Sequence, residues 1–208
     1  SGRVTRVVRL ATLGTATVAE AASGVRIVLA PLRPVAPGMR VAGPARTVRC
    51  LAGDNLALHL AINRAHPGDV IVADYGASTD SGPFGEIMAL ACQMRGIAGL
   101  VINGAVRDSQ EIAKLGFPVF ARGINIRGTT KLNRGEVDVP VEIGGVRIDP
   151  GDIMVADADA VIALPATMVD AALAASEARI AREAQMMQRL RAGETTLEIL
   201  GLDREQPV

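Results

Sequence analysis

Short apolar runs alternate with segments of helical period between residues 69 and 121, and this alternation constrains the fold more than any other feature of the chain. The runs DVIVAD, IAGLVI and FPVFA have strand length and are almost continuously apolar, which is typical of strands buried on both faces. Helical periods over residues 84–95 and 109–115 separate these runs, and a glycine ends each of them. The stretch therefore predicts a β-α-β-α-β unit whose neighbouring strands are parallel, with right-handed crossovers.

The segments on either side of this unit predict further helices and a second group of strands. Apolar spacing predicts two short helices within Val4–Ala22, the second capped by Thr15 or Thr17, and a helix that Asp54 caps and that runs to about Ala65. Alternation of apolar and polar residues predicts an edge strand over Val137–Ile143. Further strands are expected at 25–29, 40–50 (interrupted at Gly43-Pro44), 152–156 and 160–164, a long surface helix at 169–191, and a short helix at 195–200.

Length and composition favour one α/β domain. The 208 residues are enough for a large buried core. We expect a single domain over 1–208, with N-terminal helices at 3–24, an α/β core at 25–165 and a C-terminal helical extension at 166–208. The 22 basic and 22 acidic side chains give zero formal net charge, which argues against nucleic acid as a partner. Because we find no apolar run long enough for a membrane span and no leader, we expect a cytoplasmic protein without a membrane partner.

Several residue types that often carry chemistry are scarce or poorly spaced. With one Tyr, three Phe and no Trp, a platform for stacking bases is not expected. Cys50 and Cys92 lie in apolar runs without metal-type spacing, and we interpret them as small buried side chains in a reducing compartment. His59 and His66 have no third ligand at a suitable spacing and are interpreted as structural or surface residues. The segment 123–131 lacks a lysine after its second glycine, so we reject it as a phosphate loop.

Two loops between residues 82 and 108 offer the clearest site. Gly85-Glu86-Ile87-Met88 opens a helix after one buried strand, and Arg107-Asp108 follows the next. Because ligands collect beyond the carboxyl ends of parallel strands, both loops are expected to share a crevice. Backbone N–H groups at a helix start suit a carboxylate, Asp108 suits a hard cation such as Mg²⁺, and Arg107 suits a substrate carboxylate or a developing enolate oxygen. The alternative is a surface pair in which Asp108 caps the helix that follows.

Several motifs occur in unbroken order over roughly Val18 to Leu164. They are Gly53-Asp54-Asn55, Pro67-Gly68-Asp69-Val70, Gly85-Glu86, Gly96-Ile97-Ala98-Gly99, Gly104-Ala105-Val106-Arg107-Asp108 and Gly116-Phe117-Pro118-Val119-Phe120-Ala121-Arg122. Each motif is weak alone, but the combination is specific. In these motifs the chain resembles the class II 4-hydroxy-4-methyl-2-oxoglutarate aldolases, an RraA-like family that also contains the regulators of ribonuclease E activity.

The resemblance implies an α/β fold of the RraA-like kind, a three-layer swivelling β/β/α domain, assembled as homotrimers or hexamers with sites between subunits. It implies a lyase that uses Mg²⁺ or another divalent cation such as Mn²⁺, cleaves 4-hydroxy-2-oxo acids to pyruvate, and often decarboxylates oxaloacetate. By motif, Asp108 matches the metal-binding aspartate and Arg107 the arginine that contacts the substrate. The backbone of Gly85, Glu86, Ile87 and Met88 matches the substrate-carboxylate loop, and Glu86 falls where an acidic residue holds metal waters.

Other readings of the resemblance stay open. The regulators of ribonuclease E activity act by binding protein rather than by catalysis, and they generally lack the aspartate that this chain has as Asp108. An enzyme with the same metal site and a changed substrate is a further alternative, because the approach Gly82-Pro83-Phe84 is bulkier than the family pattern. The general base is not assigned. The acidic residue that the family takes from a neighbouring subunit corresponds to Glu177, Glu183 or Glu194, with no choice among them.

Overall fold

A mixed sheet of nine strands carries the fold in the computed structural model, which describes residues 2–202. The strands are β1 (Arg26–Ile27), β2 (Arg33–Pro34), β3 (Val41–Arg49), β4 (Val70–Asp74), β5 (Gly99–Ile102), β6 (Ala105–Val106), β7 (Val119–Ala121), β8 (Gly123–Ile124), β9 (Glu136–Val137), β10 (Val141–Ile143), β11 (Val146–Ile148), β12 (Ile153–Ala156) and β13 (Val161–Leu164). The order in the main sheet is β1-β13-β12-β3-β4-β5-β7-β2, and β9 also pairs with β3. There are also two small sheets, β10-β11 and β6-β8, and an isolated bridge between Asp54 and Thr130.

Helices pack against this sheet. They are α1 (Gly2–Leu13), α2 (Thr15–Ala21), α3 (Leu56–Arg64), α4 (Glu86–Met94), α5 (Ser109–Leu115), α6 (Val169–Arg191) and α7 (Thr196–Ile199), and a 3-10 turn at Ala166–Met168 leads into α6. The predicted α/β class and C-terminal helix are confirmed. Among the helices of residues 2–202, none is long and apolar enough to span a membrane.

The predicted parallel unit is present at the centre of the sheet. Strands β3, β4, β5 and β7 are parallel neighbours in that order. Every residue of β5 and β7 is buried, as their near-continuous apolar sequences predict. Helices α4 and α5 connect β4 to β5 and β5 to β7, so the loops that leave β4 and β5 both open at the carboxyl edge of the sheet.

Strand β3 is continuous, although an interruption at Gly43-Pro44 is predicted. Its first half pairs antiparallel with β12, and its second half, from Ala45 onward, pairs parallel with β4. The backbone N–H of Ala45 donates to Asp152 O, so the preceding Pro44 nitrogen faces the β4 side, where pairing has not yet begun. The missing N–H of Pro44 therefore leaves no ladder bond unmade, which explains why the strand tolerates proline.

The N-terminal helices form as predicted, but their capping differs. Neither Thr15 nor Thr17 caps α2, because its N-cap is Gly14, with φ of 91°, and Thr15 is the first helical residue. The carboxylate of Asp157 accepts hydrogen bonds from the Thr15 backbone N–H at 2.8 Å and from Thr15 Oγ1 at 2.7 Å. A residue 142 positions away thus does the work of a local cap, which sequence spacing cannot reveal.

Two boundaries also differ from the sequence-based expectation. The predicted edge strand Val137–Ile143 is two strands, β9 and β10, because Asp138 adopts φ of 63° and breaks the extended backbone between them. The N-cap position of α3 is Asn55 and not the predicted Asp54, although Asp54 Oδ1 does accept a hydrogen bond from the backbone N–H of Leu56, the first helical residue. Helices α5 and α6 have the predicted bounds.

Candidate functional site

The two loops singled out in the sequence meet at the carboxyl edge of the sheet. The backbone N–H of Arg107, in the loop after β6, donates to Phe84 O at 2.8 Å, in the loop before α4. A third segment joins them, because the Gly82 N–H donates to Arg127 O at 2.9 Å and the Asn125 N–H donates to Val106 O at 3.0 Å. Backbone hydrogen bonds therefore fix three loops around one point.

Asp108 is held in an unusual conformation at this point. Its φ and ψ of 55° and 42° place it in the left-handed region, which costs a residue other than glycine about 1–3 kcal/mol and persists where surrounding contacts determine it. It occupies the N-cap position of α5, but its side chain makes no capping bond to that helix. Instead, Oδ2 accepts a hydrogen bond from the Glu86 backbone N–H at 3.0 Å, at the start of α4. The part of the alternative in which the Asp108 side chain caps the helix that follows is therefore wrong.

Arg107 and Asp108 form an adjacent cation–anion pair. Arg107 Nε lies 3.4 Å from Asp108 Oδ1, and the two side chains are 42% and 35% exposed. A contact this long between half-exposed groups contributes little to stability. Both side chains therefore remain accessible to a ligand.

Both residues line a cavity of about 400 Å³. Gly85 allows the walls to come together, since a Cβ there would lie 2.5 Å from Asp108 Oδ2 and 2.9 Å from Arg107 Cγ. Of the predicted site residues, Gly85, Ile87, Met88, Arg107 and Asp108 line this cavity, whereas the Glu86 side chain is exposed and outside the lining. The other lining residues are Asn55, Gly82, Pro83, Gly128, Thr129 and Lys131.

The bulky approach to the cavity turns out to be part of the core. Phe84 is 1% exposed and stacks on Phe117 with ring centroids 6.2 Å apart. Of Pro83 and Phe84, therefore, only Pro83 lines the cavity. Tyr75 is also fully buried, and its hydroxyl accepts a hydrogen bond from the Gly53 N–H at 2.7 Å and contacts Ser81 Oγ at 2.9 Å. The aromatic side chains near the site thus support the loops and leave the cavity itself without an aromatic wall.

Sequence reasoning assigned no role to Asn55 and Lys131, which also line the cavity. The Asn55 amide is buried, and Nδ2 donates to Pro83 O at 2.9 Å, but Oδ1 has no partner within residues 2–202. An unpaired buried acceptor of this kind costs about 1–3 kcal/mol. The signal for Asn55 was its place in the motif Gly53-Asp54-Asn55, whereas Lys131 lay in the rejected phosphate loop. No α-helix follows Lys131 before α6, whereas the lysine of a phosphate loop lies at the start of a helix.

Buried Asp54 anchors the loop that carries Lys131. Its Oδ2 accepts hydrogen bonds from Thr130 Oγ1 at 2.7 Å and from the Leu132 N–H at 2.6 Å. Burial by itself raises the pKa of this carboxyl, but the hydrogen bonds from Leu132, Thr130, Leu56 and Asn133 outweigh it and lower the pKa to about 2. The charged carboxylate therefore ties the start of α3 to one wall of the cavity.

The histidines and cysteines lie outside the cavity lining. His59 is mostly exposed. The pKa of its imidazole is lowered, first by the desolvation of its buried part and then by the positive charge of Lys131. His66 Nδ1 contacts Arg46 Nη2 at 3.0 Å. Burial raises the pKa of both thiols to about 12, although Cys50 is only half-buried whereas Cys92 is fully buried as expected. Both thiols therefore stay protonated near neutral pH and are poor nucleophiles.

Comparison with known proteins gives one family and several different names. Residues 15–163 match the family model RraA-like, described as Aldolase/RraA. A protein from Halalkalibacterium halodurans with the provisional name 4-hydroxy-4-methyl-2-oxoglutarate aldolase is 39% identical over 74% of this chain and 73% of its own length.

Two solved structures are similar over about two thirds of this chain. A chain from Geobacillus kaustophilus described as an S-adenosylmethionine: 2-dimethylmenaquinone methyltransferase has 32% identity and a TM-score of 0.65, over 68% of this chain and 88% of that chain. The RNA-processing inhibitor RraA from Thermus thermophilis has 30% identity and a TM-score of 0.64, over 68% of this chain and 85% of that chain. Because similar folds carry these different names, the activity has to be argued from the site.

Proposed function

The chain belongs to the RraA-like family, and on that premise we propose that it is a divalent-metal-dependent lyase that cleaves a 4-hydroxy-2-oxo acid, such as 4-hydroxy-4-methyl-2-oxoglutarate, to pyruvate. The same chemistry would decarboxylate oxaloacetate. The observation that carries the proposal is the pairing of accessible Arg107 and Asp108 across from the start of α4, in a cavity sized for a small ligand.

The donor set fits a hard cation that keeps much of its own water. No group of three or more His, Cys, Asp or Glu side chains within residues 2–202 is placed to hold a metal, which disfavours a site of the zinc type. Mg²⁺ usually binds through one or two carboxylates and retains several waters. Asp108 would hold it directly, and the exposed carboxylate of Glu86, whose backbone contacts Asp108, would order its waters. When bound, such a cation would supply Lewis-acid stabilisation of negative charge on the substrate oxygens.

The residues of the cavity then have separate tasks in the cleavage. The C3–C4 bond breaks, the C4 hydroxyl loses its proton to become a carbonyl, and the electron pair delocalises onto the C2 oxygen until C3 is protonated to give pyruvate. The Arg107 guanidinium would donate to that oxygen as its charge develops. Because the Glu86 N–H already donates to Asp108 Oδ2, the N–H groups of Ile87 and Met88 at the start of α4 would hold the adjacent carboxylate. No side chain is assigned as the general base.

The far wall of the cavity would recognise the rest of the substrate. The Lys131 ammonium would bind a second carboxylate. Asn55 and Lys131 both line the cavity from segments remote in sequence from Arg107 and Asp108. This arrangement favours a substrate that is polar at both ends over pyruvate alone.

The chain would assemble as a homotrimer or hexamer, in which a neighbouring subunit would complete each site. Apolar side chains around the loops of the site are open to solvent, with exposures of 83% for Ile87, 78% for Ile126 and 83% for Leu132, and such a patch is typical of a surface that becomes covered. The three acidic residues considered for a contribution across the interface all have partners in their own chain: Glu177 with Arg9, Glu183 with Arg179 and Glu194 with Arg189. Each would have to release its arginine in order to serve a neighbouring site.

Pyruvate release from 4-hydroxy-4-methyl-2-oxoglutarate and from oxaloacetate tests the proposal, with Mg²⁺ and after treatment with EDTA. We expect turnover of at least one substrate with Mg²⁺ and its loss with EDTA. Equal turnover in both conditions contradicts the metal-dependent lyase. A protein that binds Mg²⁺ but releases no pyruvate from a panel of 2-oxo acids would have another substrate. Absence of turnover together with a stable complex with ribonuclease E would instead support a regulator.

A further inference from the structure

A second cavity, of about 210 Å³, shares no lining residue with the candidate active site. One of its lining residues, Ser109, directly follows Asp108 in the sequence. It lies where β2, the last strand of the main sheet, pairs antiparallel with β7 through Arg33 opposite Ala121. Its other lining residues are Pro34, Val35, Arg122, Gly123 and Ile124. The cavity is smaller than the roughly 300–1,000 Å³ of sites that take drug-sized ligands, so a ligand of only a few atoms fits it.

The charge of this cavity is entirely positive. Arg33 and Arg122 line it, and no acidic residue does. Within residues 2–202, neither guanidinium forms an ion pair: Arg33 Nη1 donates to Leu32 O at 3.1 Å, and Arg122 Nη1 donates to Asn103 Oδ1 at 3.1 Å. Since a guanidinium carries five N–H donors, most donors of both side chains remain free for a ligand.

Arg46, on β3, is an arginine whose charge is matched by carboxylates. It lies between two carboxylates, with Nη2 3.0 Å from Asp69 Oδ2 and Nη1 2.8 Å from Asp138 Oδ1. Arg33 and Arg122 have no such counter-charges, although their backbones are fixed by strand pairing and by the hydrogen bond from the Arg122 N–H to Gly104 O at 2.8 Å. Two like charges brought to one cavity repel each other unless an anion lies between them.

We infer that this cavity is a binding site for a small dianionic phosphate group, held by the guanidinium groups of Arg33 and Arg122 with the hydroxyl of Ser109 as a further donor. Guanidinium groups suit phosphate oxygens because their N–H donors form a planar fork. The inference is independent of the proposed lyase activity, since it concerns binding in a separate cavity.

Isothermal titration calorimetry with inorganic phosphate tests the site on the full chain in a buffer without phosphate. We expect saturable binding at millimolar concentrations or below. Arg33→Gln and Arg122→Gln should each weaken binding by about tenfold or more, because each removes a charge-assisted contact. Arg64→Gln, an exposed arginine of α3 outside both cavities, is the matched control and should bind as the unmodified chain does.

Two further arms make the result decisive. Glycerol phosphate identifies the source of the group: tighter binding than inorganic phosphate indicates a phosphate monoester, and weaker binding indicates the free ion, either of which supports the site. Lys131→Met tests whether phosphate enters the candidate active site instead. Three results would overturn the inference. They are absence of phosphate binding to the unmodified chain, unchanged affinity in the folded variant that carries both Arg33→Gln and Arg122→Gln, and loss of binding in Lys131→Met but not in the arginine variants.

Discussion

The carboxylate of Asp108 caps a helix that begins 22 residues earlier in the chain, through a 3.0 Å hydrogen bond from the backbone N–H of Glu86. This one contact joins the loop after β6 to the start of α4. It also orients Asp108 so that Oδ1 faces Arg107 Nε at 3.4 Å. Asp108 therefore has a structural role besides any role in binding a ligand: it helps to fix the relative position of the two loops and the shape of the candidate site.

A methyl group at Gly85 should disrupt this arrangement. In Gly85→Ala the new Cβ would lie 2.5 Å from Asp108 Oδ2, so the carboxylate and the neighbouring arginine must move. We expect pyruvate release to fall about 100-fold, since displacements near 1 Å have that effect on positioned groups. Gly128→Ala is the matched control, because Gly128 lines the same cavity and its Cβ would meet nothing within 4 Å. Equal rates for the two folded variants would contradict this role of Gly85.

Lys131→Met should change which substrates are used. We expect kcat/KM for a 4-hydroxy-2-oxo dicarboxylate to fall about tenfold relative to that for a monocarboxylate such as 4-hydroxy-2-oxopentanoate, because the second carboxylate loses its cation. Lys114, the other lysine of the chain, lies on α5 outside the cavity and provides the control variant Lys114→Met. An equal fall for both substrates would place Lys131 in a role that does not depend on the second carboxylate.

Asp54 gives a prediction about pH. Its folded pKa of about 2 lies below the ordinary value of 3.8, so its charge contributes stability that is complete above the ordinary value and is lost as pH falls through about 2. Asp54→Asn should lower the free energy of unfolding at neutral pH by about 1.5–3 kcal/mol, because hydrogen bonds to a charged group are lost. In chemical denaturation, the difference between the unmodified chain and the variant should narrow from about pH 4 downward. A constant difference down to pH 2 would rule out this linkage.

The contact between Asp157 and Thr15 should affect stability without affecting catalysis. Asp157→Ala removes the acceptor for both the backbone N–H and the hydroxyl of Thr15. We expect a loss of about 1–2 kcal/mol in the free energy of unfolding, the usual cost of a lost helix cap. Pyruvate release measured below the unfolding transition should be unchanged, since neither residue lines the candidate active site. A large fall in kcat would show that α2 influences the site.

The sequence was sufficient for the parts of the fold that depend on local pattern. The parallel core follows from apolar runs of strand length, and the proximity of Gly85 and Arg107 follows from the rule that loops leaving parallel strands open at one edge. The capping of α2 by Asp157, the capping of α4 by Asp108, and the arrival of Lys131 at the cavity join segments far apart in sequence. Such contacts leave no periodic signal and emerge only when the chain is folded.

The most direct test of the account is the rate of pyruvate release by Asp108→Asn with saturating Mg²⁺, alongside Asp159→Asn as a control at an exposed aspartate. Asparagine keeps the acceptor for the Glu86 N–H but lacks the charge that would hold the cation. The account predicts a fall of about 10²–10³-fold in kcat for Asp108→Asn, because the cation that Asp108 would hold, which stabilises the developing oxyanion, is lost, and no change for the control. An Asp108→Asn variant as active as the unmodified chain would contradict it.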